Sequence, residues 1–160
     1  MNLLKFSDIE KDTLDEIIQL HFNHWRQYTN SINLEDTKHK FQTIYTDNKK
    51  LPICYALFDK NKLLGFCVIK KENLTNYKEI YPWISDVMIV SSERNKGYGK
   101  KMINFIMNEI RKLGYEKVYV WTDQAPTFYE KLGFHFEKNV RKNNGEGTGL
   151  LYSKKIRRNN

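Results

Sequence analysis

The feature that most constrains the fold is a short apolar segment, residues 83–90, followed by a basic turn with two glycines at residues 94–99. The next segment repeats apolar side chains at helical spacing, at Met102, Ile103, Ile106, Ile110 and Leu113. The pattern predicts a strand, a tight turn and an amphipathic helix. Free N–H groups at a helix N-terminus attract anions, and glycine lets the backbone come close to them. This arrangement predicts a turn that binds a phosphate or pyrophosphate.

Two well-known phosphate motifs do not fit this turn. A P-loop needs a glycine five residues before Gly99 and a Ser or Thr after Gly99-Lys100, but Arg94 and Lys101 occupy those positions. The dinucleotide fingerprint needs a third glycine where Met102 stands. The remaining pattern is R-x-x-G-x-G between a predicted strand and a predicted helix.

A second motif, A-P-T-F-Y-E-K-L-G-F, lies at residues 125–134, after a predicted strand at residues 117–122. Together the two motifs resemble those of the GNAT superfamily of N-acetyltransferases, over residues 83–139. Pro126 suits a first helical turn, and Gly133 suits the position after a helix end. The resemblance implies a mixed α/β (α+β) fold, with a mostly antiparallel twisted sheet of about six or seven strands and helices on both faces.

The resemblance also implies acetyl-CoA as the acetyl donor. It assigns the backbone of Met88, Ile89 and Val90 to pantetheine, with the N–H of Ile89 as a donor to the oxyanion. The pyrophosphate would lie on the turn and the helix start, formed by Arg94, Asn95, Lys96, Gly97, Tyr98, Gly99 and Lys100. The same residues allow a plainer interpretation, in which the strand side chains pack in the core and the turn only connects two elements.

Tyr129 matches the tyrosine that serves as general acid in the family. Many relatives carry a glutamate on the preceding strand as general base, and Trp83 stands at the aligned position here. Asp86 is the only carboxylate on that strand and is the candidate base or substrate contact. A regular strand places it on the face opposite Ser85 and Val87, whereas a β-bulge would change that parity. Proton transfer to water is the alternative.

The acceptor is expected to be a small-molecule or peptide amine. Residues 21–28 and 81–83 are dense in aromatic and polar side chains and are candidates for its pocket. Because no strand glutamate is present, a non-catalytic acyl-CoA-binding module is the alternative function. No histidine or cysteine spacing indicates a metal site.

Bulk properties limit the remaining possibilities. A chain of 160 residues without a linker predicts one domain. The resemblance implies that residues 1–160 form a single N-acetyltransferase domain, which is expected to be a monomer or homodimer. The absence of a long apolar run or a signal segment predicts a cytoplasmic protein without a membrane partner. The net charge of +8 is scattered, which argues against nucleic acid. An anionic small molecule as partner and a drift toward Lys and Asn codons both stay open as explanations. Cys54 and Cys67 are expected as free thiols.

Local patterns predict the order β, α, α, β, β, β, α, β, α, β, β. The first helix is expected at residues 12–23 with Leu14, Ile17, Ile18 and Phe22 inward, and the second at residues 34–48 with Phe41, Ile44 and Tyr45 inward. Residues 53–58 and 63–70 are expected as a hairpin with a four-residue loop, and residues 72–80 as a polar connection. Residues 134–140 and 149–156 are expected as closing strands, joined by a polar loop at residues 141–147.

Overall fold

The computed structural model describes residues 1–46, 49–143 and 145–157. Within these residues, seven strands and four α-helices follow one another in the predicted order. They are β1 (Asn2–Lys5), α1 (Lys11–Trp25), α2 (Leu34–His39), β2 (Ile53–Asp59), β3 (Lys62–Lys70), β4 (Trp83–Ile89), α3 (Tyr98–Lys112), β5 (Lys117–Thr122), α4 (Pro126–Lys131), β6 (His135–Arg141) and β7 (Thr148–Lys155).

The strands form one mixed sheet in the order β1-β2-β3-β4-β5-β7-β6. β4 pairs in parallel with β5, through Trp83 and Tyr119. The pairs β1–β2, β5–β7 and β6–β7 are antiparallel. The predicted fold class, a mostly antiparallel mixed sheet with helices, is confirmed.

The chain divides into two compact units. The first comprises Met1–Val68 and Asp86–Met102, and the second comprises Ile69–Ser85 and Ile103–Asn160. Each unit has its own cluster of buried apolar side chains. The prediction of one domain over residues 1–160 stays a prediction.

The core of the first unit lies between α1, α2 and the strands β2 and β3. Every residue from Ile53 to Phe58 is buried, so both faces of β2 are covered. The predicted inward residues of α1 at positions 14, 17 and 18 are buried. The fourth is His21 and not Phe22, which is only partly buried. His21 continues the spacing of three and four residues that defines this stripe.

The second helical segment is shorter than predicted. Asn33 caps α2, because its side chain accepts the N–H of Asp36 at 2.8 Å. After α2 a π-turn covers Lys40–Ile44, in which the N–H of Tyr45 donates to the carbonyl of Lys40. The wider turn keeps Phe41 and Tyr45 buried but leaves Ile44 46% exposed, so the prediction for Ile44 was wrong. The predicted end at residues 47 and 48 lies outside the described residues.

The hairpin between β2 and β3 is tighter than expected. β2 ends at Asp59 and β3 begins at Lys62, so the connection has two residues and not four. Lys60 turns the chain with a φ of 53°. Cys54 and Cys67 are both buried free thiols, as predicted.

The second unit is built on β5, β6 and β7. Its core contains Leu74, Trp83, Val140 and Leu151. Leu74 shows that the connection at residues 72–80 is not simply polar. Asn143, in the loop between β6 and β7, accepts the N–H of Thr75 and donates to the carbonyl of Asn73. These hydrogen bonds attach the described part of that loop to the connection.

Candidate active site

The end of β4 is held in the first unit by backbone contacts. The N–H of Val90 donates to the carbonyl of Leu64 at 2.9 Å, and Arg94 Nε donates to the carbonyl of Ile89 at 3.1 Å. Gly65 lets β3 approach β4 closely, since a Cβ there would lie 2.3 Å from the carbonyl oxygen of Met88. Arg94 therefore fixes the turn to the end of the strand.

The predicted turn leads into α3 as expected. Gly97 has a φ of 80° and Asn95 has a φ of 61°, a region that glycine and asparagine tolerate best. Lys101 donates the first helical hydrogen bond, to the carbonyl of Gly97. The N–H groups of Tyr98, Gly99 and Lys100 come before this bond and cannot be satisfied inside the helix. The turn is exposed, so an anion from solvent can reach these donors.

The buried carboxylate of Glu93 contacts the turn through Lys96. Glu93 is 4% exposed and accepts from Lys62 and, at 3.2 Å, from Lys96. The hydrogen bond from Lys62, followed by that from Lys96, lowers the pKa of Glu93 against the opposing effect of burial. Lys96, predicted as a cofactor contact, thus already has an anionic partner.

Tyr129 lies on α4 in the second unit and is 7% exposed. Its ring contacts Phe128 and Phe134, with centroids 5.1 Å and 5.6 Å away. The helix begins with Pro126 and ends at Lys131, Leu132 is its C-cap, and Gly133 follows with a φ of 81°. The predicted helix start and end are both confirmed.

Asp86 interrupts the regular geometry of β4. Its φ is 51°, so the strand does not keep the simple alternation that would place Asp86 opposite Ser85 and Val87. Positive φ is uncommon for a residue other than glycine and is often found at functional sites. Trp83, which stands where relatives carry a glutamate, is fully buried in the second unit.

In the first unit Asp86 lies beside His21 and Tyr45. Its Oδ1 is 3.8 Å from His21 Nε2, and its Oδ2 accepts from the Tyr45 hydroxyl at 3.4 Å. Burial, and then the carboxylate, raise the pKa of Tyr45, which keeps the phenol protonated. The sequence placed His21 in the candidate acceptor pocket at residues 21–28 but did not predict its contact with Asp86. The signal that could have found it is a histidine on the apolar stripe of α1.

Metal sites and membrane-spanning helices were also considered for the described residues. Among them, no cluster of three or more His, Cys, Asp or Glu side chains could hold a metal ion. No helix within residues 1–46, 49–143 and 145–157 is both long enough and apolar enough to cross a membrane.

The fold is similar to those of several solved acetyltransferases. One is an aminoglycoside 6'-N-acetyltransferase complexed with coenzyme A, at 18% identity and a TM-score of 0.74, with 100% of this chain and 99% of that chain covered. Another is the aminoglycoside 6'-N-acetyltransferase from Enterococcus faecium, at 18% identity and a TM-score of 0.71, with 100% of this chain and 99% of that chain covered.

A third is a spermidine N-acetyltransferase chimera from Vibrio cholerae and hSSAT, at 17% identity and a TM-score of 0.67, with 96% of this chain and 95% of that chain covered. At these identities the likeness shows the fold. A sequence model provides the evidence for the family, because the model described as "Acetyltransferase (GNAT) family" matches residues 15–134. The chain therefore belongs to the GNAT family of acetyltransferases.

Proposed function

We propose that this chain transfers the acetyl group of acetyl-CoA to a small primary amine by direct attack of the amine. The observation that carries the proposal is the start of α3, where a turn with positive φ at Gly97 exposes the N–H groups of Tyr98, Gly99 and Lys100. A family acetyltransferase with such an anion site has a natural place for the pyrophosphate of its donor.

The residues of the turn fit this ligand. An added Cβ at Gly97 would meet no atom within 4 Å, so the glycine serves the backbone conformation and not close packing. Lys100 adds an exposed positive charge in the first turn of α3. Arg94 acts through the carbonyl of Ile89, so we assign it to positioning the turn. Among the solved neighbours, one aminoglycoside acetyltransferase was crystallised with coenzyme A.

The backbone of Met88, Ile89 and Val90 is proposed to hold the pantetheine arm. The N–H of Val90 is occupied by Leu64, which removes it as a donor to the acetyl oxygen. Consecutive N–H groups of an extended strand point to opposite edges, so the N–H of Ile89 faces away from β3. This supports Ile89 as the donor that stabilises negative charge on the acetyl oxygen, an effect typically worth a few kcal/mol.

Tyr129 is proposed to give its phenolic proton to the departing CoA thiolate. A thiol with an ordinary pKa of about 8.5 is a fair leaving group, so a phenol with a pKa of about 10 suffices as its acid once the two groups are held together. The ring is held by Phe128 and Phe134, so the position of its hydroxyl depends little on side-chain freedom.

The amine must lose a proton before or during its attack. We assign Asp86 to this half of the reaction, because its carboxylate stands at a positive-φ residue two positions before Met88. The acceptor is proposed to be a small amine. This is supported by the solved relatives, which carry the names of aminoglycoside and spermidine acetyltransferases.

Purified protein with acetyl-CoA and an amine panel tests the proposal. The panel contains kanamycin, spermidine, free lysine and a peptide with an unblocked N-terminus, and released thiol is the readout. Turnover of at least one amine, with the acetylated product seen by mass spectrometry, is expected. CoA binding without turnover of any amine would instead favour a non-catalytic acyl-CoA-binding module.

A further inference from the structure

His21 carries buried polar atoms that the fold leaves unsatisfied. The residue is 5% exposed, and neither ring nitrogen has a hydrogen-bond partner in the part of the chain that the structure describes. Leaving a buried polar group unpaired costs about 1–3 kcal/mol. Leucine would fill the same stripe of α1 without this cost, so packing alone does not explain the imidazole.

The carboxylate of Asp86 stands beside this ring. The distance of 3.8 Å between its Oδ1 and His21 Nε2 exceeds a hydrogen bond but places a carboxylate next to the imidazole. The rings of Phe41 and Phe66 lie 4.9 Å and 6.2 Å from the imidazole and shield the pair from water. The carboxylate therefore occupies this position on a residue with a strained, positive φ.

A pocket reaches His21 from the surface of the first unit. It measures about 220 Å³, and its polar wall is formed by Ser31, Asn33, Asp36, Thr37 and Lys40. Most of that wall already has partners: Asn33 bonds Asp36, and the Ser31 hydroxyl bonds Thr29. His21 is the member of this wall whose buried ring nitrogens have no hydrogen-bond partner among the described residues. The volume equals that of about seven water molecules, enough for an aliphatic amine.

We infer that His21 accepts the proton of the acceptor amine and that Asp86 acts through it. This inference rests on the proposed acetyl transfer. Nε2 is the ring nitrogen beside Asp86, so the proton is assigned to Nδ1. Because both ring nitrogens are buried, the amine reaches Nδ1 only when the pocket wall moves to expose it. An ammonium N–H bond breaks, the proton forms an N–H bond with Nδ1, and the freed electron pair attacks the acetyl carbon. The C–S bond then breaks, the thiolate takes the proton of Tyr129, and the second proton of the amine nitrogen passes to solvent, from which the Tyr129 phenolate is reprotonated. The imidazolium, stabilised by Asp86, then returns the proton to solvent.

Other charged or titratable groups surround the imidazole from several elements. They are Asp86 of β4, Tyr45 after the π-turn, Asp36 of α2, Lys40 at the start of the π-turn and His24 on the same helix. The two carboxylates attract a cationic amine, and Lys40 opposes them while its ammonium lies 4.9 Å from the Tyr45 ring. Burial lowers the pKa of His24, and Arg94 and His21 lower it further.

The test is the pH dependence of kcat/KM for His21→Gln with the best amine of the panel. At neutral pH the loss should be about 10²-fold, because general-base catalysis contributes that much or more. Toward alkaline pH the amine is neutral without help, so the loss should shrink to less than about tenfold. Asp86→Asn should show the same trend. His39→Gln removes an exposed imidazole and should stay within about twofold of wild type.

Ring nitrogen NMR of 15N-labelled wild type adds a readout that needs no turnover. The His21 signals, assigned by their loss in His21→Gln, should respond to pH between about 5 and 9 if the ring exchanges protons. His21→Asn serves if the glutamine variant does not fold.

Three results would overturn the inference. A loss that stays constant across pH would indicate a structural role, and unresponsive ring signals would exclude proton exchange. Normal activity of His21→Gln would show that the reaction does not need the imidazole. Failure of the proposed function looks different, since wild type itself would then bind CoA and turn over no amine, and His21 would have no reaction to serve.

Discussion

The N–H of Phe134 donates to the carbonyl of Tyr129 at 3.1 Å, while their rings lie 5.6 Å apart. With the bond from the Gly133 N–H to the carbonyl of Glu130, this is a Schellman motif and its accompanying apolar contact. The motif ends α4 and fixes the ring of Tyr129 at the same time. The residues around Tyr129 in the sequence therefore specify both its backbone and its packing.

Replacing Gly133 should weaken this helix end. Alanine at a φ of 81° should cost about 1–2 kcal/mol in the free energy of unfolding, because its Cβ is strained there. Asparagine tolerates that conformation better, so Gly133→Asn is the matched control and should lose less. Urea denaturation measures both. Equal losses for the two variants would show that backbone conformation is not the cause.

Removing the hydroxyl of Tyr129 should separate catalysis from binding. Tyr129→Phe keeps the ring contacts, so the free energy of unfolding should change by no more than about 1.5 kcal/mol, the net contribution of one hydrogen bond. The value of kcat should fall about 10²-fold or more, while the Kd for CoA stays within about twofold. Steady-state kinetics and calorimetry measure these quantities. Tyr115→Phe, outside both motifs, is the control, and equal losses of kcat and CoA affinity would contradict the general-acid role.

Adding a methyl group at Gly65 should push β4 away from β3. The new Cβ would lie 2.3 Å from the carbonyl oxygen of Met88 and 2.7 Å from Ile89 Cδ1. Such overpacking typically costs about 1–3 kcal/mol, and CoA affinity should fall because the same strand is proposed to hold pantetheine. The double variant Gly65→Ala/Ile89→Val removes only the second contact, so it should recover part of the stability. Full recovery of the stability would show that the contact with the Met88 carbonyl does not destabilise the fold.

The parts of the site that the sequence predicts are those set by neighbouring residues. The glycine turn before α3, the start of α4 at Pro126 and its end at Gly133 each depend on a few adjacent side chains. The closing strands β6 and β7 were predicted to within one residue at each end.

The parts that sequence reasoning missed depend on distant contacts. His21 is paired with a residue 65 positions later, and no local pattern links it to Asp86. The π-turn adds one residue to a helical turn, which shifts Ile44 outward without any proline or glycine to signal it. The hairpin loop was overestimated because Asp59 and Lys62 are polar but still belong to strands.

The buried carboxylate of Glu93, next to the turn before α3, should make the free energy of unfolding depend on pH. Since Lys62 and Lys96 lower the pKa of Glu93 in the folded protein, its charged form stabilises the fold above the ordinary glutamate pKa of about 4.3. That contribution is lost as pH falls through the lower folded pKa. Glu93→Gln should therefore unfold at a lower temperature than wild type at neutral pH, and the difference should close in acid.

Thermal unfolding over a pH series measures this difference, and CoA calorimetry shows whether the turn is affected. Glu109→Gln is the control, because it breaks an exposed pair with Lys112 that is worth only about 0.2–0.5 kcal/mol. The variant at Glu93 should also bind CoA more weakly at neutral pH, since the exposed turn loses its buried anchor. A difference in unfolding temperature that is the same at neutral and acid pH would contradict the charge-based account.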